Sequence, residues 1–464
     1  MSTIDTEQTT DNTDSGAPIR RLAAWDADSL CNLAAEFETP LYVIDAQRVR
    51  ENCARLLDAF PAATIRYAIK AHSGQAVLKV IRDAGIDVEC ASAGEVKAAL
   101  AAGFNGNRIQ YTAVNPPARD LDAIINWWQE NKQLTITVGA ADTVERLQER
   151  GFDGRLCIRV NPNVGAGHHE KVTTGANAKF GIPYERVSEL ATQWATEFDL
   201  VGIHAHAGSG ISGEDLSSHE ELVRRMGTLT RTITECAGSL EFVDVGGGFG
   251  VPYRANDPPL DIHTVAERTR DALGTVDATL AIEPGRYVVA DAGVLLTRVN
   301  TIKSARETTV VGVDAGMTTL LRPAMYDAYH EIENISASPT TDSMPVTIAG
   351  PICESSDIFA EGRSISAPTR GDIIAIGTAG AYGYEMASTY NARPRPAEVI
   401  YDDNTAKVAR RRETRDELDV LETSSDEHSV SLSSVVSHSH SSVAPESTMS
   451  SSSTGDTPPG GESQ

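Results

Sequence analysis

The sequence predicts an α/β fold in which a closed, TIM-like (β/α)8 barrel is followed by a C-terminal β-rich domain. Eight short apolar runs alternate with helical patterns of about ten residues or more, which matches the strand count of a closed parallel barrel. After residue 288 the strand patterns follow one another without long helices. Residues with reactive side chains recur just beyond the predicted barrel strands, where barrels carry their functional groups.

The predicted barrel strands also place these groups at one end of the barrel. The strands are predicted at 64–70, 86–92, 108–113, 134–139, 155–162, 200–207, 242–248 and 279–286. The groups at their ends are Lys70, Asn161, His206 with Ser209, Gly246 to Gly248, and Glu283 with Arg286. An open doubly wound sheet is the alternative for the same alternation of strands and helices.

The length of 464 residues exceeds what one hydrophobic core usually holds, and this predicts two domains. The predicted segments are a disordered tail (1–20), a segment joining the β-rich domain (21–44), the barrel (45–288), the β-rich domain (289–422) and a disordered Ser-rich acidic tail (423–464). Within them we expect a strand at 40–45, a helix at 46–59, later strands at 310–316, 345–350, 372–377 and 397–401, and a helix from beyond Asp402 to about Glu422.

Charge and composition exclude several classes of partner. The net charge is -25, which argues against a nucleic-acid surface and against adhesion to anionic membranes. No apolar run approaches the roughly 18 residues of a membrane span, and the polar N-terminus predicts a cytoplasmic protein. Only 8 of the 40 basic residues are lysine, which favours a halophilic origin. The six scattered cysteines indicate neither a disulfide framework nor a zinc site.

Lys70 ends the run Thr64-Ile-Arg-Tyr-Ala-Ile-Lys70. An ammonium group at the end of a buried strand is unfavourable unless it is neutralised or bonded, so Lys70 is a candidate covalent anchor. A surface lysine that ends a strand is the alternative.

Two further strand ends favour a phosphate site. Asp244-Val-Gly-Gly-Gly248 lets backbone N–H groups approach an anion, although a tight strand exit also explains three glycines. Glu283-Pro284-Gly285-Arg286 places an acid and a base on the neighbouring strand end, and a structural ion pair is the alternative. Barrels usually hold phosphate near strands seven and eight.

A reactive lysine, a phosphate cradle and a carboxylate together predict a site for pyridoxal 5'-phosphate. Lys70 would form the Schiff base, Glu283 would hold the proton on the pyridine nitrogen, and His206 would stack on the ring, with Ser209 donating to the phosphate. A metal site formed by His204 and His206 is the rival hypothesis, and no third ligand is evident near them in the sequence. We therefore expect no metal.

Six motifs in order resemble the fold-type III pyridoxal-phosphate decarboxylases, an alanine racemase-like fold, and most closely the diaminopimelate decarboxylase family. The resemblance covers about residues 20–402, and its motifs are Tyr67-Ala-Ile-Lys70-Ala, His204-x-His206-x-Gly-Ser, Val245-Gly-Gly-Gly-Phe-Gly250, Glu283-Pro-Gly-Arg286, Cys353-Glu-Ser-Ser-Asp357 and Gly380-Ala-Tyr382-Gly-Tyr. One departure is His72, where the family commonly carries Asn, and this puts the hydrogen bonding around Lys70 in question.

The resemblance implies a set of residue roles. It implies cofactor contacts from Lys70, His206, Ser209, Gly248, Glu283, Pro284, Gly285, Arg286 and Tyr382. It implies substrate contacts from Arg286, Arg322, Tyr326, Glu354 and Tyr382. Cys353 would be the proton donor, supplied with Glu354 across the interface of a homodimer. A buried apolar role for Cys353 and a loop salt bridge for Arg322 are the alternatives.

The resemblance also implies the reaction, which is decarboxylation of meso-2,6-diaminopimelate to L-lysine and carbon dioxide, the last step of lysine biosynthesis. Arginines suit the carboxylate at the far end of this substrate, and Glu354 suits its ammonium group. The alternatives are a related decarboxylase or racemase for another basic amino acid, and a non-enzymatic cofactor carrier. Glu283 argues against the racemase, because racemases of this fold usually present an arginine to the ring nitrogen. Cys353, Glu354 and Tyr382 argue against the carrier.

Overall fold

The structure is a computed structural model that describes residues 18–164, 179–206, 208, 211 and 215–422. The chain divides into two units, residues 1–418 and 419–464, and every helix and strand given below belongs to the first. Residues 1–17 of the predicted disordered tail (1–20) and the whole predicted tail at 423–464 lie outside the described residues, as does Ser209.

The described elements alternate through the barrel and then become mostly strands. The strands are β1 Leu41–Asp45, β2 Thr64–Ala68, β3 Asp87–Cys90, β4 Ile109–Tyr111, β5 Thr135–Val138, β6 Arg155–Asn161, β7 Ile182–Pro183, β8 Asp199–His204, β9 Phe242–Asp244, β10 Thr279–Ile282, β11 Gly293–Ala305, β12 Thr308–Val313, β13 Ile332–Asn334, β14 Ser343–Ala349, β15 Ile358–Ser366, β16 Ile373–Ile376, β17 Ala397–Asp402 and β18 Thr405–Arg410. The α-helices are α1 Ala27–Phe37, α2 Ala46–Ala59, α3 Gln75–Asp83, α4 Ala93–Ala101, α5 Ala118–Glu130, α6 Ala141–Gln148, α7 Val187–Trp194, α8 Ser217–Ala237, α9 Ile262–Leu273, α10 Arg286–Val289 and α11 Arg322–Tyr326.

Eight parallel strands close into the predicted barrel. Their order is β5-β4-β3-β2-β10-β9-β8-β6, and the pairing of β5 with β6 completes the ring, so the open-sheet alternative is wrong. Short buried strands such as β5, with all four residues buried, form the interior because helices cover their outer side. Parallel strands bring all their carboxyl ends to one rim, which gathers the predicted site residues.

Local sequence signals account for several helix starts. The Asp45 carboxylate accepts a hydrogen bond from the Arg48 backbone N–H at 3.0 Å and caps α2, which spans the predicted 46–59. The Ser92 hydroxyl accepts from the Glu95 N–H at 3.2 Å and caps α4 in the same way. These caps begin α2 directly after β1, and α4 after a two-residue connection from the barrel strand β3.

A second sheet follows the order β15-β14-β12-β11-β1-β17-β18, with β16 pairing with β11 and β13. The early strand β1 lies between β11 and β17 and therefore belongs to this sheet. The 13-residue strand β11 was not predicted, and neither were β13 and β15. No described helix is both long and apolar enough to cross a bilayer.

Two local predictions are wrong. The helix expected beyond Asp402 is absent from the described residues up to 422, because Thr405–Arg410 is strand β18 in a hairpin with β17. Asp403 and Asn404 adopt positive φ angles of 46° and 59°, a two-residue hairpin turn that the Arg-rich and Glu-rich pattern concealed. The strand that precedes Lys70 ends at Ala68, and Lys70 lies in a short 3-10 turn, Ile69–Ala71.

Candidate active site

Lys70 projects from its turn at the carboxyl end of β2 into a cleft at the barrel rim. Its Nζ lies 3.6 Å from Oε2 of the buried carboxylate of Glu89, and 43% of its side chain is exposed. The Glu89 charge raises the pKa of Lys70 above its ordinary value, while burial raises the pKa of Glu89. The amine is thus held by one ion pair but stays open to the cleft, as a covalent anchor requires.

Glu283 directly follows β10, the last barrel strand along the chain, and is 5% exposed. Its Oε1 accepts a hydrogen bond from the Gln110 amide at 3.3 Å, and its Oε2 lies 3.1 Å from His204 Nε2. Burial raises the pKa of Glu283, against the opposing charges of Lys70 and Arg159. The carboxyl group is therefore fixed in place and holds its proton more tightly than an exposed glutamate.

His204, Asp244 and Glu283 form a buried group whose ligand-type atoms lie within 4.8 Å of one another. The expectation that no further ligand lies near the two histidines is therefore wrong. Asp244 already accepts a hydrogen bond from Arg66 Nη1 at 3.0 Å, so a cation is present beside these carboxylates. Burial lowers the pKa of His204 to about 4, so its ring is neutral and its Nε2–H donates to Glu283. We assign no metal here.

His206 lies on the rim beside the glycine turn. Its Nδ1 accepts a hydrogen bond from the Gly247 N–H at 3.2 Å. Burial and the nearby Lys70 charge lower its pKa well below the ordinary value. A neutral ring whose Nδ1 accepts carries its proton on Nε2, and this orientation suits the predicted stacking on a cofactor ring.

The glycine turn, Gly246 to Gly248, lies where the cofactor phosphate is predicted to bind. It has no room for side chains at two positions. A Cβ at Gly247 would lie 1.9 Å from the Glu283 carbonyl oxygen, and one at Gly248 would lie 2.5 Å from the Gly208 carbonyl oxygen. Gly248 also has a φ of +100°, which L side chains rarely adopt. These glycines are required because the turn packs against neighbouring backbone, which is the tight strand exit of the alternative interpretation. The fit of the residues to this cofactor rests instead on Lys70, His206 and Glu283, which line one cleft.

One cleft joins most of the predicted cofactor residues. Its lining residues are Ala68, Lys70, His206, Gly248, Phe249, Glu283, Gly285, Arg286 and Tyr382. Pro284 is buried beside it, and its carbonyl accepts the Ala68 N–H at 3.1 Å, which ties the eighth strand end to the lysine turn.

Arg286, Tyr253 and Arg322 form a cationic corner next to the cleft. Arg286 Nη1 donates to Tyr253 Oη at 2.7 Å, and the Arg322 guanidinium lies 4.6 Å from the centroid of the same ring. Arg286 also lies 4.8 Å from the ring centroid of Tyr382. Burial acts to raise the pKa of Tyr253, but the two guanidiniums outweigh it and the pKa lies below its ordinary value.

Arg322 is 4% exposed at the start of α11 and is oriented by His330. Its Nη1 donates to His330 Nε2 at 2.8 Å, while His330 Nδ1 donates to the Gly377 carbonyl at 2.9 Å. Burial and the Arg322 charge lower the pKa of His330 to about 3, so this ring stays neutral and can accept. Tyr326 ends α11 and is close enough to both arginines to act on them electrostatically. The predicted substrate residues Arg286, Arg322 and Tyr326 thus meet at one corner.

Cys353 and Glu354 do not line this cleft in the described chain. Both are exposed in the loop between β14 and β15, with Cys353 Sγ 3.5 Å from Asn391 Oδ1 and Glu354 accepting a hydrogen bond from the Tyr390 hydroxyl. Asp357 shapes the loop, because its Oδ2 accepts the Ile352 N–H at 2.6 Å. The buried-apolar alternative for Cys353 is wrong.

Sequence reasoning missed five residues around the site, namely Glu89, Gln110, Arg159, Tyr253 and His330. Glu89, Gln110 and Arg159 lie on barrel strands, where a polar residue inside an apolar run was the available signal. Tyr253 and His330 lie outside the motifs that were singled out, and no local pattern marked them.

Comparison with known proteins identifies a family model and relatives that this chain resembles. A family model described as "Pyridoxal-dependent decarboxylase, pyridoxal binding domain" matches residues 46–290. The diaminopimelate decarboxylase of Methanothermobacter thermautotrophicus is 41% identical over 402 residues, which are 83% of this chain and 92% of that protein. The diaminopimelate decarboxylase of Aquifex aeolicus is 34% identical over 397 residues, covering 84% and 92% of the two chains.

A solved structure agrees with these sequence matches. The crystal structure of diaminopimelate decarboxylase from Helicobacter pylori complexed with L-lysine has a TM-score of 0.78 and 32% identity, over 84% of this chain and 98% of that chain. The likeness covers both the barrel and the β-rich part.

Proposed function

Because this chain belongs to the diaminopimelate decarboxylase family of pyridoxal-dependent decarboxylases, we propose that it converts meso-2,6-diaminopimelate to L-lysine and carbon dioxide. The observation that carries the proposal is the meeting of Lys70, Glu283 and Arg286 in one cleft, with Arg322 beside it. An amine, a buried carboxyl group and two guanidiniums are the groups that this substrate and cofactor need.

Pyridoxal phosphate, when bound, supplies an aldehyde that joins an amine and a ring that withdraws the electron pair left by carbon dioxide. Lys70 would hold the aldehyde until substrate arrives, and Glu89 keeps the lysine near the cleft floor. Glu283 would hold a proton at the pyridine nitrogen, because Gln110 and His204 keep its two oxygens in place. His206 would cover one face of the ring, and Ser209, Gly248, Gly285 and Tyr382 would bind around the phosphate.

The cationic corner would select the far end of the substrate. Diaminopimelate has two amino acid ends, so the end that does not react brings a carboxylate and an ammonium group. Arg286 and Arg322 suit the carboxylate, since a guanidinium can bind it with two parallel hydrogen bonds. Tyr326 and Tyr382 border the same corner, and Glu354 would accept the ammonium group.

The proposal includes a homodimer with shared active sites. Cys353 would return a proton to the carbon that loses carbon dioxide, but in its own chain it lies in an exposed loop away from the lysine cleft. The nearby Tyr390 is also exposed, at 47%. An exposed loop that carries a thiol, a carboxylate and an aromatic ring suits insertion into the cleft of a second copy.

Two properties of the whole chain complete the proposal. All six cysteines are free, which favours the reducing cytoplasm. The net charge of -25 with only 8 lysines favours function at high salt, where dense carboxylates are screened from one another.

The experiment that tests the activity uses purified full-length protein with added pyridoxal phosphate in molar potassium chloride. We expect equal amounts of carbon dioxide and L-lysine to form from meso-diaminopimelate. Faster turnover of ornithine, arginine or lysine than of meso-diaminopimelate would contradict the proposed substrate. The variant Lys70→Ala, which lacks the amine that binds the cofactor, is the negative control.

A further inference from the structure

Three consecutive residues after Lys70 are each held by the region 382–410. The Ala71 carbonyl accepts the Tyr382 N–H at 2.8 Å. His72 Nε2 lies 2.8 Å from Glu398 Oε2. The backbone N–H and the hydroxyl of Ser73 donate to Glu385 at 3.0 and 2.8 Å. The turn that carries Lys70 is therefore held by hydrogen bonds to residues outside the barrel.

The donor and the acceptor of the hydrogen bond between His72 and Glu398 can be assigned. The ring is 2% exposed, and its Nδ1 accepts the Gly74 N–H at 3.2 Å. With Nδ1 accepting, Nε2 carries the proton and donates it to Glu398, whose side chain is fully buried. Arg410 is farther from this carboxylate, with its Nη1 3.7 Å from Oε2. His72 thus supplies the short hydrogen bond that a buried carboxylate needs.

Arg410 on β18 contacts both carboxylates that bind the lysine turn, Glu385 and Glu398. Its Nη2 donates to Glu385 Oε1 at 2.9 Å and to Ser73 Oγ at 3.1 Å, and its guanidinium lies 4.1 Å from the ring centroid of Tyr384. The hairpin of β17 and β18 therefore supplies both Glu398 and the arginine that links Glu398 to Glu385.

The barrel side of the turn is also fixed. The Tyr67 hydroxyl donates to the His72 carbonyl at 3.0 Å, and the His72 N–H donates to the Ile69 carbonyl at 2.9 Å. His72 is consequently contacted by both strands, by β2 at its backbone carbonyl and by β17 at its side chain.

We propose that His72 is a positioning residue, which through Glu398 holds the Lys70 turn against β17 so that the lysine amine meets the aldehyde of bound pyridoxal phosphate. The inference rests on the proposed function only in that Lys70 binds this cofactor. A displacement of the turn by about 1 Å can slow a reaction by roughly a hundredfold when the reacting atoms must be aligned.

The test separates positioning from mere stability. His72→Phe alone leaves Glu398 buried without its donor, so it lowers stability whatever its role. The double variant His72→Phe/Glu398→Leu removes both polar partners, and such replacements of buried pairs are often neutral for stability. His72→Gln keeps an N–H donor with a similar reach. Arg50→Ala is the matched control, because Arg50 pairs with Asp402 of β17 at 2.7 Å without touching residues 71–73.

Each full-length variant is titrated with pyridoxal phosphate, and the cofactor fixed to Lys70 by borohydride is measured against time, together with Tm. We expect the double variant to keep a Tm near that of the unmodified protein but to fix cofactor about 10- to 100-fold more slowly. His72→Gln should recover most of the rate, and Arg50→Ala should match the unmodified protein.

Wild-type rates of cofactor fixation in the double variant would overturn the proposal. If the double variant does not fold, equal losses of cofactor affinity in His72→Phe and His72→Gln would overturn it instead. Failure of the unmodified protein to fix cofactor at all, relative to Lys70→Ala, would contradict both the proposed function and this inference. Normal cofactor fixation without carbon dioxide release from meso-diaminopimelate would contradict the proposed function alone.

Discussion

Tyr253 lies between Arg286 and Arg322 and contacts both guanidiniums. Its Oη accepts a hydrogen bond from Arg286 Nη1 at 2.7 Å, and the Arg322 guanidinium lies 4.6 Å from its ring centroid. One aromatic side chain therefore lies between two cations, with its hydroxyl oxygen bound to one guanidinium and its ring facing the other.

Arg322→Ala should mainly weaken substrate binding. A hydrogen bond to a charged group contributes about 1.5–3 kcal/mol, so we expect KM for meso-diaminopimelate to rise roughly 10- to 150-fold with a smaller change in kcat. Arg155→Ala is the control, since Arg155 pairs with Glu241 at 2.6 Å at the start of β6, away from the corner. An unchanged KM in Arg322→Ala would show that this residue does not bind the substrate.

Glu283→Gln should mainly lower kcat. Gln fills the same buried space beside Gln110 and His204 but cannot carry the negative charge that stabilises a protonated ring nitrogen. Placement of one proton typically contributes about 10²- to 10⁴-fold to a rate, and we expect a loss in this range. Gln110→Ala, which removes one hydrogen bond from Glu283, should cost much less. The measurement is steady-state kinetics with saturating cofactor, and comparable losses in both variants would contradict the assigned role.

His219 should make the folded state sensitive to acid. It is 3% exposed on α8, its Nε2 lies 2.8 Å from Thr269 Oγ1, and burial lowers its pKa to about 4. The unfolded chain binds this proton near pH 6.5, so the stability contribution is complete above pH 6.5 and is lost as the pH falls towards 4.

Replacing His219 with Gln should remove that sensitivity. Between pH 7 and pH 5 the free energy of unfolding should fall by about 2 kcal/mol less in His219→Gln than in the unmodified protein. Chemical denaturation at the two pH values measures this difference. Parallel pH profiles for the two proteins would show that His219 is protonated equally in both states.

Mixing two inactive variants should restore activity if Cys353 serves the partner's cleft. Lys70→Ala and Cys353→Ala each lack one part of every site, but a mixed dimer would hold one site with both parts. With random exchange of subunits, an equal mixture should recover about a quarter of the unmodified activity. Cys236→Ala, which changes another exposed cysteine, should stay active alone. No recovery after proven exchange would place both residues in one chain's site.

Added salt should keep increasing the stability of the protein at concentrations above those that enzymes usually require. Raising potassium chloride from about 0.1 M to about 2 M shortens the screening length from roughly 10 Å to below 3 Å, which weakens repulsion among 65 acidic side chains. We expect Tm and kcat to rise together over this range. A Tm that falls with salt would contradict the halophilic proposal.

The sequence alone determined the barrel and most of the residues of its cleft. Alternating strands and helices follow from apolar periodicity, which is a local property of each segment, and parallel connection then brings the strand ends to one rim. Lys70, His206, Glu283 and Arg286 could be identified because each lies just beyond the end of a barrel strand, Glu283 and Arg286 after the same one. The hairpin of β17 and β18 escaped prediction because a two-residue turn at Asp403 and Asn404 interrupts a pattern that reads as helix.

Only the tertiary structure decided which partners orient those groups. His72 bonds Glu398 across 326 positions, Asn52 bonds Asp291 across 239, and Tyr253 joins two arginines that lie 36 positions apart. Such pairs form because barrel closure and the second sheet bring distant segments together, and no local pattern encodes that distance. Burial then sets their protonation, since the loss of water around His204 and His330 depends on everything that packs over them.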